Sequence, residues 1–222
     1  MTLRDFYVER RRAELPVFLA VFKALPADRI SYKPDERSPT AEQLVWTLTW
    51  ELRSCLEVAK QNRTEWRGDP APSLPEMIGF FEKWSNELTE MVAAMSEESW
   101  GRAAQFYYNG KIVSEQPVGV FLWFILFDAI HHRGQLSAYL RPMGGRVPAI
   151  YGPSADSRLA SAWPMAPGRA KLVADVDRMK SVRNHATGPL REAYTFCACW
   201  RTMAGRRAGD VCELALEQSR SL

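Results

Sequence analysis

The sequence predicts an all-α fold built from long, packed helices, and two observations support this. Apolar residues recur at intervals of three and four in four long segments, and loops rich in Pro and Gly separate those segments. The 222-residue chain also shows no strand–helix alternation, no internal repeat and no phosphate-binding glycine loop. Its 46% apolar and 25% charged residues are ordinary for a globular protein, which excludes wholesale disorder and a disulfide framework.

The first predicted helix runs from Leu3 to Leu25, and Pro16 inside it should either kink or break it. A loop with two prolines follows over residues 31–39. Thr40 then caps a second helix that reaches Gln61, with Gln43 as its capping-box partner. The inward stripes of these two helices are Leu15, Phe18, Leu19, Phe22 and Leu25, and Leu44, Leu48, Leu52, Cys55, Leu56 and Ala59.

The third predicted helix begins after Ser73 and ends near Met95. A polar, aromatic connection over residues 97–115 follows, with a short extended piece at Gln105–Val113. The fourth helix spans Pro117 to Arg141 and ends at a Pro-Met-Gly-Gly run. The inward stripes here are Met77, Phe81, Trp84, Leu88, Met91 and Met95, and Phe121, Leu122, Ile125, Ala129, Leu136 and Leu140.

Charge and aromatic content divide the chain into a helical domain over residues 1–155 and an extension over residues 156–222. The net charge of +3 splits into −1 and +4, and the aromatic residues split into 21 and 4. The extension therefore has less to bury, and it is either a helical appendage or a mobile segment.

Several classes of function are excluded or disfavoured. A charge of +4 over the extension is too weak to indicate nucleic-acid binding. The longest apolar run, residues 118–127, falls short of the ~20 residues that a membrane span needs. The N-terminus has no signal-peptide pattern, so we expect a cytoplasmic protein. Its four cysteines have no zinc-finger or thioredoxin spacing, and we expect reduced thiols.

Polar residues interrupt the apolar stripes of two helices. Asp128 and His132 are four residues apart on the fourth helix and so share a face, as do Thr47 and Glu51 on the second. If these helices pack together, Glu51, Asp128 and His132 converge. Carboxylate oxygens and an imidazole nitrogen are ligands for a divalent metal, and helical bundles build metal sites in this way.

Spacing alone leaves other interpretations open. Asp128 could accept a hydrogen bond from His132 as a structural pair, with Glu51 paired near the surface to Arg53 or Arg133. Asp128 and His132 could also act as an acid–base pair without a metal. Only two other histidines exist: His131 points about 100° away from His132, and His185 lies in the extension.

The segment Ile130-His-His-Arg-Gly-Gln-Leu-Ser-Ala-Tyr-Leu-Arg-Pro-Met-Gly-Gly145 closely resembles the DinB family. Residues 147–154, the Thr40-Ala-Glu-Gln-Leu44 opening and Tyr32-Lys-Pro34 fit the family as well, so the resemblance covers residues 3–155. It implies a four-helix, up-down-down-up bundle that forms a homodimer. It also implies a divalent metal held by three histidines, and, in some members, transfer of a low-molecular-weight thiol.

Carried over by position, the resemblance makes His132 the final ligand. Asp128 stands at the position of the other fourth-helix histidine, Thr47 at that of the second-helix histidine, and Glu51 is the nearest replacement for it. We therefore expect a Zn, Ni or Mn ion on His132, Asp128 and Glu51 in a thiol S-transferase or detoxification enzyme with a small-molecule substrate. The alternative is a metal-free, dimeric binding or stress-response module without catalysis.

Overall fold

The structure is a computed structural model that describes residues 1–156. This part of the chain is mostly helical and carries one small sheet. Its elements are α1 (Leu3–Lys23), a 3-10 turn (Ala27–Arg29), α2 (Ala41–Gln61), β1 (Arg63–Trp66), α3 (Leu74–Ala93), α4 (Glu97–Gly101), β2 (Ala103–Tyr108), β3 (Lys111–Pro117) and α5 (Val118–Leu140).

The predicted long helices are confirmed, with local sequence signals at their starts. The Thr40 hydroxyl accepts from the backbone N–H of Gln43, whose side chain bonds back to Thr40, so α2 begins at a capping box. A second capping box, formed by Thr2 and Asp5, starts α1. The α1 helix runs unbroken through Pro16, which lies exposed on its surface, so a break at this residue was the wrong alternative.

The four long helices surround one apolar core. Both α1 and α2 lie against α3 and α5, which puts α1 and α2 at opposite corners of the arrangement. The side chains that fill the space between them come from the predicted stripes of all four helices. Fully or almost fully buried members include Phe18, Phe22, Leu44, Leu48, Met77, Phe81, Leu88, Phe121, Leu122 and Leu136.

A three-stranded sheet corrects the all-α prediction. The strands lie in the order β1-β2-β3, with β1 parallel to β2 and β2 antiparallel to β3. The extended piece predicted at Gln105–Val113 is part of the β2–β3 hairpin, whose turn residues Asn109 and Gly110 both have positive φ, at 49° and 73°. Such backbone angles suit a tight hairpin turn, and Asn-Gly is its usual sequence.

The predicted extension, residues 156–222, lies outside the described residues apart from Asp156, and so do Cys197, Cys199, Cys212 and His185. Asp156 itself accepts hydrogen bonds from the Val147 backbone and from Arg141. The remaining cysteine, Cys55, is a buried free thiol. No helix within residues 1–156 has the length and apolar character of a membrane span.

Candidate metal centre

Packing of α2 against α5 brings together the three side chains singled out in the sequence. Nε2 of His132 lies 3.6 Å from Oδ2 of Asp128 and 3.9 Å from Oε1 of Glu51. One ligand atom from each of the three residues falls within 4.8 Å of the others. The predicted convergence of Glu51, Asp128 and His132 is therefore confirmed, while their role as metal ligands stays a prediction.

These three side chains are almost completely removed from solvent. Glu51 is 1% exposed, Asp128 7% and His132 6%. Within the described residues, neither Oδ2 of Asp128 nor Nε2 of His132 makes a hydrogen bond. Burying such groups without a close partner is unfavourable, so the arrangement is costly unless something else binds them.

The spacing of the donor atoms suits a bound cation. Oxygen and nitrogen ligands lie about 2.1 Å from a metal such as zinc, so two ligands at a tetrahedral angle are about 3.4 Å apart. The 3.6 and 3.9 Å separations around His132 are close to this value. Direct hydrogen bonds would instead bring the same atoms to about 2.8 Å. The residues present therefore fit a divalent metal.

Electrostatics at His132 favour a positive charge between the two carboxylates. Burial on its own opposes protonation of the imidazole. The interaction with Asp128 and the negative charge of Glu51 outweigh burial, and together they raise the pKa of His132 to about 9. A cluster that stabilises a proton at this position presents the same negative potential to a metal cation.

The second ring nitrogen of His132, Nδ1, contacts the side chain of Gln135 on the same helix. Oε1 of Gln135 lies 3.0 Å from Nδ1 of His132, and Nε2 of Gln135 lies 2.9 Å from Nε2 of His131. His131 is exposed and turned away from the cluster, as its position on the helix predicted. Metal-bound histidines usually make such a bond through their second nitrogen.

The structure corrects the predicted partners of Glu51. The alternative interpretation paired Glu51 with Arg53 or Arg133 near the surface, but Glu51 is buried, Arg53 pairs with Asp69 at 2.6 Å, and Arg133 binds Glu14. Thr47, where the resemblance expects a ligand, is half-buried one turn before Glu51 on α2.

A second polar cluster next to the site, centred on the buried Arg133 and Glu14, was missing from the sequence predictions. Arg133 donates hydrogen bonds to Glu14 of α1 and to the Tyr151 hydroxyl, the latter at 2.5 Å. The Tyr151 hydroxyl also lies 2.9 Å from both Glu14 oxygens, and Arg10 donates to Glu14 at 2.6 Å. Arg10 and Glu14 are four residues apart on α1 and form a local pair. The contacts of Glu14 with Arg133 and Tyr151 arise only from three-dimensional packing, so no local pattern could have indicated them.

Fold and site together define a mostly helical protein with a buried cluster of two carboxylates and one imidazole, compatible with a bound metal. The sequence model of the DinB family matches residues 7–161, so the chain belongs to the DinB family.

Two solved structures of DinB-like proteins are similar to it. One, from Bacillus cereus, is 17% identical, with a TM-score of 0.55 and coverage of 65% of this chain and 95% of that chain. The other, from Bacillus subtilis, is 19% identical, with a TM-score of 0.49 and coverage of 62% and 92%. At these identities the Bacillus cereus protein supports the fold alone. No curated protein matches the chain.

Proposed function

We propose that this DinB-family protein binds one divalent metal through Glu51, Asp128 and His132 and is a metal-dependent enzyme. The observation that carries the proposal is the meeting of three buried ligand atoms from two helices within 4.8 Å. Two carboxylates with one imidazole offer a harder donor set than three imidazoles. The carboxylate oxygens suit Mn and the imidazole suits Zn or Ni, so each of these three metals is a candidate.

The reaction we propose is transfer of a low-molecular-weight thiol to a small electrophile, in a detoxification role. A bound metal would supply Lewis acidity and lower the pKa of the thiol. In the balanced reaction the thiol gives up its proton to solvent, its sulfur bonds to the electrophilic carbon, and the leaving group departs with its bonding electrons. Asp128 and Glu51 balance the positive charge of the site, and the low-polarity surroundings strengthen both interactions.

The alternative function is a metal-free binding or stress-response module. The pairing of His132 with Asp128 supports it, because a protonated imidazole between two carboxylates also satisfies the cluster. This alternative requires no turnover and no metal content.

We also propose a homodimer of up-down-down-up bundles. The outward face of α5 supports dimerisation, because Val120 and Phe127 are 48% and 63% exposed and the only charged residues of α5, Asp128 and Arg133, are buried. Phe127→Glu should then convert a dimer into a monomer in light scattering. A monomeric wild-type protein would contradict this part of the proposal.

An assay of thiol conjugation tests the enzymatic proposal. Purified protein is supplied with Zn²⁺ or Mn²⁺, a panel of bacillithiol, mycothiol and glutathione, and a chlorinated aromatic electrophile. We expect turnover that a chelator abolishes and that His132→Ala and Asp128→Asn lack. Turnover that survives chelation would support the acid–base pair instead. No turnover by metal-loaded protein with any thiol would favour the non-catalytic module.

A further inference from the structure

Gln135 connects the only two histidines of the described residues. Its amide oxygen faces Nδ1 of His132 at 3.0 Å, and its amide nitrogen faces Nε2 of His131 at 2.9 Å. An amide nitrogen can only donate and an amide oxygen can only accept. In this arrangement His132 therefore donates through Nδ1–H, and His131 accepts at Nε2.

This assignment decides which nitrogen of His132 is available at the cluster. With the proton held on Nδ1, the Nε2 lone pair points toward Asp128 and Glu51. If the amide were turned around, its NH2 group would need a bare Nδ1. The proton of a neutral ring would then sit on Nε2, where it blocks coordination. The orientation of the Gln135 amide therefore decides the role of the neutral ring. In the observed orientation Nε2 of His132 can coordinate a metal, and in the reversed one it can only donate a hydrogen bond to a carboxylate.

We propose that Gln135 is a positioning residue that holds the proton of His132 on Nδ1 and so presents Nε2 as a ligand. This inference rests on the proposed metal function. His131 supports it from the surface, since its Nε2 accepts the amide N–H and keeps the amide oxygen facing His132. Because Gln135 sits three residues after His132 on α5, the bond is local to one helix and does not depend on the packing of α2.

Three variants separate this role from a merely structural one, with Zn²⁺ alone as the probe. Gln135→Met keeps the length of the side chain but removes the acceptor, and we expect Zn²⁺ affinity to fall about 10- to 100-fold. Gln135→Glu keeps an acceptor and should retain or exceed wild-type affinity. His131→Ala should lose less than Gln135→Met, because the amide oxygen can still reach His132.

The proton on the ring gives a readout that needs no metal. In nitrogen-15-labelled, metal-free protein above pH 9, where the His132 ring is neutral, we expect the nitrogen-15 shifts to show a protonated Nδ1 and a bare Nε2 in the wild type and Gln135→Glu, and a mixture of the two tautomers in Gln135→Met. An unchanged Nδ1–H and unchanged Zn²⁺ affinity in Gln135→Met would overturn the inference. An equal loss of affinity in His131→Ala would also overturn it. If the wild type binds no Zn²⁺, the proposed function fails, but the Nδ1 proton still decides the role of Gln135.

Discussion

The buried neighbours His132 and Arg133 of α5 belong to two polar clusters that are built in opposite ways. Arg133, Glu14 and Tyr151 are joined by direct hydrogen bonds, with distances of 2.5 and 2.9 Å at the Tyr151 hydroxyl. One residue earlier, the nitrogen of His132 stands 3.6 and 3.9 Å from the oxygens of Asp128 and Glu51. We call the first the closed cluster, because direct hydrogen bonds join its members, and the second the open cluster, because its N···O distances exceed that of a hydrogen bond.

This difference indicates that the closed cluster stabilises the fold, whereas the open cluster is the candidate site for a metal ion. In the closed cluster, burial alone would raise the pKa of Glu14. The hydrogen bonds that Glu14 accepts from Arg133 and Arg10 outweigh burial and lower that pKa, so the carboxylate stays charged and is paired with two guanidinium groups. This pairing ties α1 and α5 to the segment around Tyr151. In the open cluster, no direct hydrogen bond joins the buried Nε2 of His132 to Oδ2 of Asp128, and the two atoms lie 3.6 Å apart. This separation is close to the one expected for two ligands of a single metal ion.

Breaking the closed cluster should have the largest effect on stability. Glu14→Ala leaves the Arg133 guanidinium buried without its carboxylate, and we expect a loss of about 3–5 kcal/mol in the free energy of unfolding, measured by urea denaturation. The double variant Glu14→Leu with Arg133→Met should recover most of that loss. A loss below about 1 kcal/mol in Glu14→Ala would show that the cluster does not hold the fold.

Removing a ligand from the open cluster should instead abolish binding. For Glu51→Ala and for His132→Ala, we expect Zn²⁺ affinity to fall by more than about 100-fold, since outer partners of ligands alone contribute 10- to 100-fold. Isothermal titration calorimetry measures this change. Thr47→Ala is the matched control, because Thr47 lies one turn before Glu51 on the same face of α2, and this variant should bind Zn²⁺ with wild-type affinity. Loss of binding in Thr47→Ala but not in Glu51→Ala would place the site one turn earlier.

The open cluster should also make the metal-free protein sensitive to alkaline pH. The pKa of His132 is about 9 in the folded protein, above its ordinary value of 6.5. The resulting stabilisation is therefore full below about pH 6.5 and is lost as the pH rises through 9. Urea denaturation in a chelator should show a loss of at most about 3 kcal/mol over this window. His132→Gln should remove this pH dependence, and an identical profile in both proteins would contradict it.

A third α5 variant should reduce stability without touching either cluster. A Cβ on Gly119 would lie 2.2 Å from the Trp100 ring, so Gly119→Ala should cost about 1–3 kcal/mol. Gly79→Ala on α3 has no atom within 4 Å and should be neutral or stabilising by up to about 1 kcal/mol. Thermal unfolding measures both. Zn²⁺ affinity should stay unchanged in Gly119→Ala, and a loss would link binding to general stability.

The parts predicted from the sequence are those with local signals. Apolar residues three and four apart defined the long helices, and the Thr40 and Gln43 pair marked the start of α2. The sheet was missed because β1 pairs with β2 across some forty residues, as in Arg63 opposite Gln105. The Asn109-Gly110 pair is a local sequence signal for a two-residue hairpin turn, and it would have predicted the β2–β3 hairpin.

The candidate site shows the same division. Asp128 and His132 share a face by spacing alone, whereas adding Glu51 required the assumption that α2 packs on α5, which the structure confirms. The partner of Arg133 could not be inferred, because Glu14 and Tyr151 lie 119 and 18 residues away in the chain. Long-range pairing of charges depends on tertiary packing, which local periodicity does not encode.

Elemental analysis of the wild-type protein, purified without chelators or a polyhistidine tag, tests the central claim most directly. A metal held by Glu51, Asp128 and His132 predicts about one equivalent of a divalent transition metal per chain, and its absence from His132→Ala prepared in the same way. Less than about a tenth of an equivalent in the wild-type protein would contradict the metal-dependent account and leave the open cluster as a protonated histidine between two carboxylates.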